Sequence, residues 1–169
     1  VDPLFSAVAT RYTHIVAPNE DLIQILIQDD FTDEQILHAR RVLESYLVDI
    51  PGSEWGSNKA PVANAIATTN AILFLLNDET EYDNPDLWEL IDSGVQGQDL
   101  LATEVHPEGS SAYMNSSQRD ATYEEVLHYV HGYGIQLVSP GMQNAIESAM
   151  SEAIENEYYE PLSDLPFED

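Results

Sequence analysis

The chain has no cysteine, few basic residues and no long apolar run, and each absence excludes a class of site. Without cysteine there is no disulfide, no thiolate metal ligand and no thiol nucleophile. Only 5 Lys and Arg residues stand against 31 Asp and Glu, which gives a net charge of -26. Binding to nucleic acid needs clustered cations that neutralise phosphates, so we expect no nucleic acid partner. No apolar run approaches the roughly 20 residues of a membrane helix, so we predict no membrane span.

What is present suffices for one folded unit. The chain has 169 residues, of which 43% are hydrophobic, and this is a normal size for a domain with a full core. We predict an extended N-terminal arm over 1–18, because residues 4–18 are rich in β-branched side chains. A single α+β domain, dominated by helices and with a small sheet, is predicted over 19–160. The remaining residues, 161–169, are predicted to form an acidic tail.

The clearest predicted helix begins after Thr32. This residue precedes a helical repeat of apolar side chains, and Gln35 follows three positions later, as in a capping box. Pro51 and Gly52 end the pattern. The other predicted elements are a short helix starting near Asn19, a helix and then a buried strand within 57–78, a helix beginning at Asn84, a strand within 97–105, a loop over 107–120 and a long helix after Pro140.

The stretch "RDATYEEVLHYVHGYG" (119–134) has two interpretations. In the simpler one it is a capped helix, with Thr122 as N-cap and Glu125 as the capping-box partner. Glu124 then lies in the first turn, where a carboxylate suits the positive end of a helix. His131 falls in the last turn and Gly132 follows as the stop signal. All of these residues are then explained without chemistry.

The second interpretation is a metal site, and it depends on His128 in the middle of the helix. At about 100° per residue, Glu124, His128 and His131 fall within about 60° of one another. Zinc takes such mixed nitrogen and oxygen ligands. Glu125 projects about 60–100° away, which is off the line of ligands but within reach of a metal-bound water. We therefore predict zinc as the cofactor.

The segment "EEVLH" (124–128) resembles the His-Glu-x-x-His helix of the zincin metallopeptidases, with Glu in place of the first His. The order of a strand, an edge strand and then this helix is compatible with the family. Residues 29–140 are also similar to large uncharacterised exported bacterial proteins with an "EE-x-x-H-x-x-H" helix. The resemblance implies a zincin-like active helix in which His128 is the second ligand, Glu125 is the general base and Glu124 replaces the first ligand.

The sequence differs from the family pattern at the first ligand, and it offers more than one candidate for the third ligand. A carboxylate ligand adds negative charge and makes the metal a weaker Lewis acid, which is expected to lower activity more than metal binding. His131 is the nearest candidate for the third ligand. Glu147, on the next helix, resembles the downstream Glu ligand of one zincin branch, and His106 is a further candidate.

Two functions follow as expectations. The first is a zinc-dependent, or degenerate, peptidase-like domain that acts on a peptide or protein substrate. The alternative is a non-catalytic extracellular structural or assembly subunit, which self-associates into a homo-oligomer through its N-terminal arm. Because the chain begins at Val1 rather than Met, and because of the resemblance to exported proteins, we expect a secreted location. The acidic stretch 77–86 is either a solvated loop or a calcium site.

Overall fold

Four short strands form one mixed sheet in the order β1-β2-β3-β4 in the computed structural model, which describes residues 3–115 and 119–158. Strand β1 (Arg11–Val16) pairs antiparallel with β2 (Leu22–Ile27). Strands β3 (Ile72–Leu76) and β4 (Gly97–Leu101) then add in parallel, so β4 forms one edge of the sheet. Strands β2 and β3 are almost wholly apolar because helices cover both faces of the sheet.

The helices divide between the two faces. Ile25 of β2, Leu73 of β3 and Leu100 of β4 point into a core shared with α2, α3 and α6. Their neighbours Leu26, Phe74 and Leu101 point into a second core shared with α1 and α4. The α-helices are α1 (Pro3–Val8), α2 (Asp33–Tyr46), α3 (Ala60–Thr69), α4 (Pro85–Asp92), α5 (Ser111–Met114), α6 (Thr122–Val130), α7 (Gln136–Val138) and α8 (Pro140–Glu155).

The predicted fold class, a helix-dominated α+β domain with a small sheet, is confirmed. The predicted capping box of α2 is present, with Thr32 and Gln35 in both hydrogen bonds. The helix capped by Asn84 and the strand within 97–105 are also confirmed. Within the described residues, no helix has both the length and the apolar character needed to cross a membrane.

The predicted helix near Asn19 is wrong, because this segment contains strand β2. Ile23, Ile25 and Ile27 alternate with residues that face the other side of the sheet, and β2 has a strand on each side. Pairing with two neighbours outweighs the local helical pattern of a short apolar run.

The predicted extended arm is part helix and part sheet. Residues Pro3–Val8 form α1, which packs on the same face of the sheet as α4. Residues Arg11–Val16 form β1 and pair with β2 of the same chain. The predicted loop over 107–120 contains the single turn α5. The predicted acidic tail 161–169 lies outside the described residues.

Candidate functional site

Helix α6, which carries Glu124, Glu125 and His128, packs between α2 and the edge strand β4. Its buried side chains include Val126, Tyr129 and Val130. The Tyr129 hydroxyl donates a 2.8 Å hydrogen bond to the carbonyl oxygen of Ala71, directly before β3. The buried face and this hydrogen bond fix the rotation of α6, which turns Glu125 towards β4.

The start of α6 is held by Asp120, which corrects the predicted cap. Thr122 is the first residue of the helix rather than its cap, and its hydroxyl donates to Asp120 Oδ1 at 2.6 Å. Asp120 Oδ1 also accepts the backbone N–H groups of Thr122 and His106, both at 3.2 Å. Asp120 Oδ2 lies 2.8 Å from Nε2 of His38 on α2. Asp120 therefore accepts the hydrogen bonds at the start of α6, which is the capping role that the sequence predicted for Thr122.

Helix α6 does not stop at Gly132 as predicted, but continues through a π-helical turn (His131–Ile135). A Cβ on Gly134 would lie 2.7 Å from Cγ1 of Val62 on α3, so glycine permits the close approach of this turn to α3. The turn directs the Tyr133 hydroxyl to the carbonyl oxygen of Gly97, at 2.8 Å. The glycine-rich segment thus anchors α6 to the first residue of β4 instead of ending the helix.

The predicted zinc ligands do not meet at one point. Glu124 is ion-paired with Arg119, and His128 is exposed on α6. His131 Nε2 lies 2.7 Å from Gln143 Oε1, and Gln143 Nε2 donates to Glu147 at 2.8 Å. One amide therefore separates His131 from Glu147.

His106, the further candidate ligand, is buried, and its Nε2 has no hydrogen-bond partner among the described residues. In the described parts of the chain, no three His, Asp or Glu side chains are arranged to hold one metal ion. The donor types suit zinc. Their arrangement does not fit a preformed zinc site.

Glu125 is the predicted site residue that is both partly buried and hydrogen-bonded to the edge strand. Its Oε2 accepts a 3.0 Å hydrogen bond from Nε2 of Gln98 on β4. Partial burial raises the pKa of Glu125, and the charges of Glu104 and Asp99 raise it further. The cationic form of His128 has the opposite effect on this pKa. The site therefore favours the protonated carboxyl group more than bulk water does.

The edge of β4 next to Glu125 carries backbone groups that point away from the sheet. The Ile72 N–H donates to the carbonyl oxygen of Gln96, so Gln98 and Leu100 direct their backbone groups to β3. Gly97, Asp99 and Leu101 then direct theirs outwards. Two of these groups already have partners within the chain. The Tyr133 hydroxyl donates to the Gly97 carbonyl oxygen, and the Glu104 carboxylate accepts from the Leu101 N–H at 3.2 Å. Asp99, in the middle, presents its N–H to the open edge.

Comparisons with protein-family models, with curated proteins and with solved structures found no match for this chain. The resemblance of residues 124–128 to zincins therefore stays a prediction.

The predicted calcium loop uses two of its carboxylates for hydrogen bonds within the protein. Residues Glu79–Asp83 form a turn of 3₁₀ helix, and Asp78 accepts hydrogen bonds from the N–H and hydroxyl groups of Thr80. Glu81 accepts from Gln28 at 2.7 Å and from Asn84 at 2.8 Å. Asp78 orders the loop locally, Glu81 ties it to Gln28 at the end of β2, and calcium binding here stays a prediction.

Sequence reasoning missed Gln98, Asp99 and Tyr133 as members of this site. The alternation within "GQDLL" (97–101) was the available signal, because it places Gln98 and Asp99 on opposite faces of one strand. What it does not reveal is that β4 lies at the edge of the sheet and beside α6.

Proposed function

We propose that this chain is a peptidase-like domain that holds an extended polypeptide along the open edge of β4, with Glu125 as its acid–base group. The observation that supports this most directly is the hydrogen bond from Gln98 to Glu125. It places a carboxylate of raised pKa beside backbone groups that can pair with another strand.

The acid–base role follows from this position. A carboxylate next to a bound peptide can take a proton from the attacking water and return it to the leaving amine. A raised pKa makes Glu125 a stronger base than an ordinary surface carboxylate, because its pKa then lies closer to neutral pH. Gln98 holds one carboxylate oxygen and leaves the other for this exchange.

Zinc binding by Glu124, His128, His131 and Glu147 belongs to the proposal only as a prediction to be tested. A metal that polarises the peptide carbonyl would suit this chemistry. Because these four side chains are not gathered around one point among the described residues, the proposed role of Glu125 involves no metal.

The separation of the predicted ligands favours a second candidate, a non-catalytic subunit that binds an extended partner at the same edge. In this version the N-terminal arm is not the assembly element, because β1 already pairs with β2 of its own chain. The open edge of β4 takes over that role. An extracellular location remains an expectation for both candidates.

The test compares hydrolysis of a pool of internally quenched fluorescent peptides by the wild type, Glu125→Gln and Glu152→Gln. Glu152 is an exposed carboxylate of α8 and serves as the matched control. We expect Glu125→Gln to lose hydrolysis and Glu152→Gln to retain it. Equal rates for Glu125→Gln and the wild type would refute the acid–base role.

Metal content is measured on protein purified without chelator. Zinc that is present in the wild type and absent from His128→Ala would support the predicted ligand set. Zinc that is unaffected by this substitution would refute it. A wild type that binds peptide and does not hydrolyse it would support the second candidate.

A further inference from the structure

The face of β4 opposite Glu125 borders an aromatic groove of about 530 Å³, a volume typical of ligand sites. Tyr82, Trp88 and Ile91 line it from the α4 side, and Tyr133 lines it from the π turn. The Trp88 side chain is half exposed, and its Nε1 donates a 2.6 Å hydrogen bond to the carbonyl oxygen of Tyr82. That hydrogen bond fixes the indole while its apolar surface stays open to a ligand.

Gly97 forms part of the floor of this groove. A Cβ at this position would lie 2.2 Å from the Ile72 carbonyl oxygen and 2.5 Å from the Phe74 ring. The aromatic ring therefore packs directly on the backbone of β4. Tyr133 covers the Gly97 carbonyl oxygen at this end, and Gly97 adds no side chain that would narrow the groove.

Carboxylates surround the same edge. Asp99 accepts a 2.6 Å hydrogen bond from the Tyr82 hydroxyl, and Glu79 and Glu104 act electrostatically on that phenol. On the other face, the negative charges of Glu104 and Asp99 also act electrostatically on the Glu125 carboxyl group. The edge therefore combines outward backbone groups with an apolar groove on one face and concentrated negative charge.

This charge disfavours two occupants of the edge. The chain's own terminal segment 159–169 carries four acidic residues and no Lys or Arg, so the carboxylates around β4 would repel it. A second copy brings another net charge of -26 to an acidic edge, so like charges oppose self-association there. A basic segment of a different protein has neither disadvantage.

We propose that the β4 edge binds an extended segment of a partner protein in which apolar side chains alternate with Lys or Arg. Successive side chains of a strand point to opposite faces. One set enters the groove of Tyr82, Trp88 and Tyr133, while the other set meets Glu125 and Glu104. Backbone pairing with Asp99 adds the segment to the sheet. This inference rests on the proposed function, because it assigns the type of polypeptide that the same edge takes.

The probe is a fluorescein-labelled peptide of eight residues that alternates Lys and Val. Three control peptides are used: one with the same composition in two blocks, one with Glu in place of Lys, and one with Ser in place of Val. Fluorescence anisotropy gives the affinities. We expect the alternating peptide to bind at least about tenfold more tightly than each control, a difference of about 1.4 kcal/mol. Equal binding of the block peptide would overturn the proposal, because it would show attraction by charge alone.

Two substitutions at Asp99 isolate the backbone contact. Asp99→Ala and Asp99→Pro both remove the carboxylate, but only proline also removes the outward N–H. Since this N–H does not bond to β3, proline is compatible with an edge position. We expect Asp99→Pro to bind the peptide about fivefold to tenfold more weakly than Asp99→Ala, the effect of one lost hydrogen bond. Equal affinities of the two folded variants would refute pairing at this edge.

The groove is tested with Trp88→Ala and the control Trp55→Ala, because both indoles are exposed and Trp55 does not line the groove. We expect only Trp88→Ala to weaken binding, by at least about tenfold as for a typical aromatic contact residue. Equal effects would place the peptide elsewhere.

The outcome is separable from that of the proposed function. Tight binding by Glu125→Gln without hydrolysis by the wild type refutes catalysis and leaves this inference standing. Hydrolysis that is unchanged in Asp99→Pro and Trp88→Ala refutes this inference and leaves catalysis standing.

Discussion

The buried carboxylate of Asp120 joins three parts of the chain, and its removal should destabilise the fold more than any surface substitution. It accepts hydrogen bonds from Thr122 at the start of α6 and from the N–H of His106, and it contacts His38 on α2. Only 7% of the Asp120 side chain and 12% of the His38 side chain are exposed. Water therefore has little access to replace the lost acceptor in Asp120→Ala.

The expected cost follows from these contacts. A hydrogen bond to a charged group contributes about 1.5–3 kcal/mol, and a buried donor left without its partner costs about 1–3 kcal/mol. The contributions overlap because all of them use one carboxylate. We therefore expect Asp120→Ala to lower the unfolding free energy by about 2–4 kcal/mol, roughly the loss of one or two such hydrogen bonds.

Urea unfolding at pH 7, followed by far-ultraviolet circular dichroism, measures this loss. Asp92→Ala is the control, since this exposed residue at the end of α4 should change stability by no more than about 0.5 kcal/mol. A double-mutant cycle with His38→Ala should give a coupling energy of about 1–3 kcal/mol. A loss below about 1 kcal/mol, the level of an exposed ion pair, would refute the argument.

The same carboxylate predicts a dependence of stability on pH. Burial raises the pKa of Asp120, but the hydrogen bonds from Thr122, His38 and His106 outweigh burial and hold it below its usual value. A carboxyl group with a depressed folded pKa stabilises the fold above its unfolded pKa and loses this contribution as pH falls through the folded value. The stability difference between the wild type and Asp120→Asn should therefore shrink below about pH 3.9. A difference that stays constant down to the acid unfolding transition would contradict this.

Three further predictions concern charge, packing and Glu125. The melting temperature should rise between low salt and about 0.5 M NaCl, because salt screens the repulsion of a chain with a net charge of -26; a flat response would show that the carboxylates are already neutralised. Gly134→Ala should lower the unfolding free energy by about 1–3 kcal/mol, because its Cβ would meet Val62. Gly132→Ala, with no atom within 4 Å of its Cβ, should not, and equal effects in urea unfolding would refute the packing argument. Glu125→Gln should be at least as stable as the wild type at pH 7 and lose any advantage at pH 4, because a raised folded pKa favours the neutral carboxyl group; a less stable variant at pH 7 would contradict this.

The elements that the sequence predicted correctly have local causes. The start of α2 depends on Thr32 and Gln35, which bond to each other's backbone groups within four residues. The start of α4 depends on Asn84, whose side chain accepts from the N–H of Asp86. Such short-range contacts form in the same way whatever the rest of the chain does, so the sequence suffices to predict them.

The elements that it predicted wrongly have distant causes. Strand β2 is a strand because it lies between β1 and β3, and the latter is separated from it by two helices. Thr122 has the side chain of a good cap, but the nearby Asp120 engages its hydroxyl. Gly132 looks like a helix stop, but packing of Gly134 against α3 continues the helix through a π turn.

The candidate site shows the same division. The carboxylate Glu125 and the imidazole of His128 were visible as a pattern on one helix. Their relation to β4 depends on a hydrogen bond to Gln98, which lies 27 residues earlier. A spacing rule for one helix describes which side chains share a face, but it carries no information on the strand that the face meets.

The π turn at His131–Ile135 also makes the contact between α6 and β4 sensitive to chain length. A π turn contains one residue more than the α-helical turn that it replaces. Because a π turn advances by fewer degrees per residue than an α-helix, it absorbs this extra residue, and deleting Gly132 would leave a continuous α-helix whose later side chains keep nearly the same orientation. Tyr129 lies before the turn and would keep its bond to Ala71, while Tyr133 lies inside the turn and would lose the position from which it reaches Gly97. The buried face of α6 and the anchoring of the β4 edge are therefore separable, and one inserted residue accounts for the second.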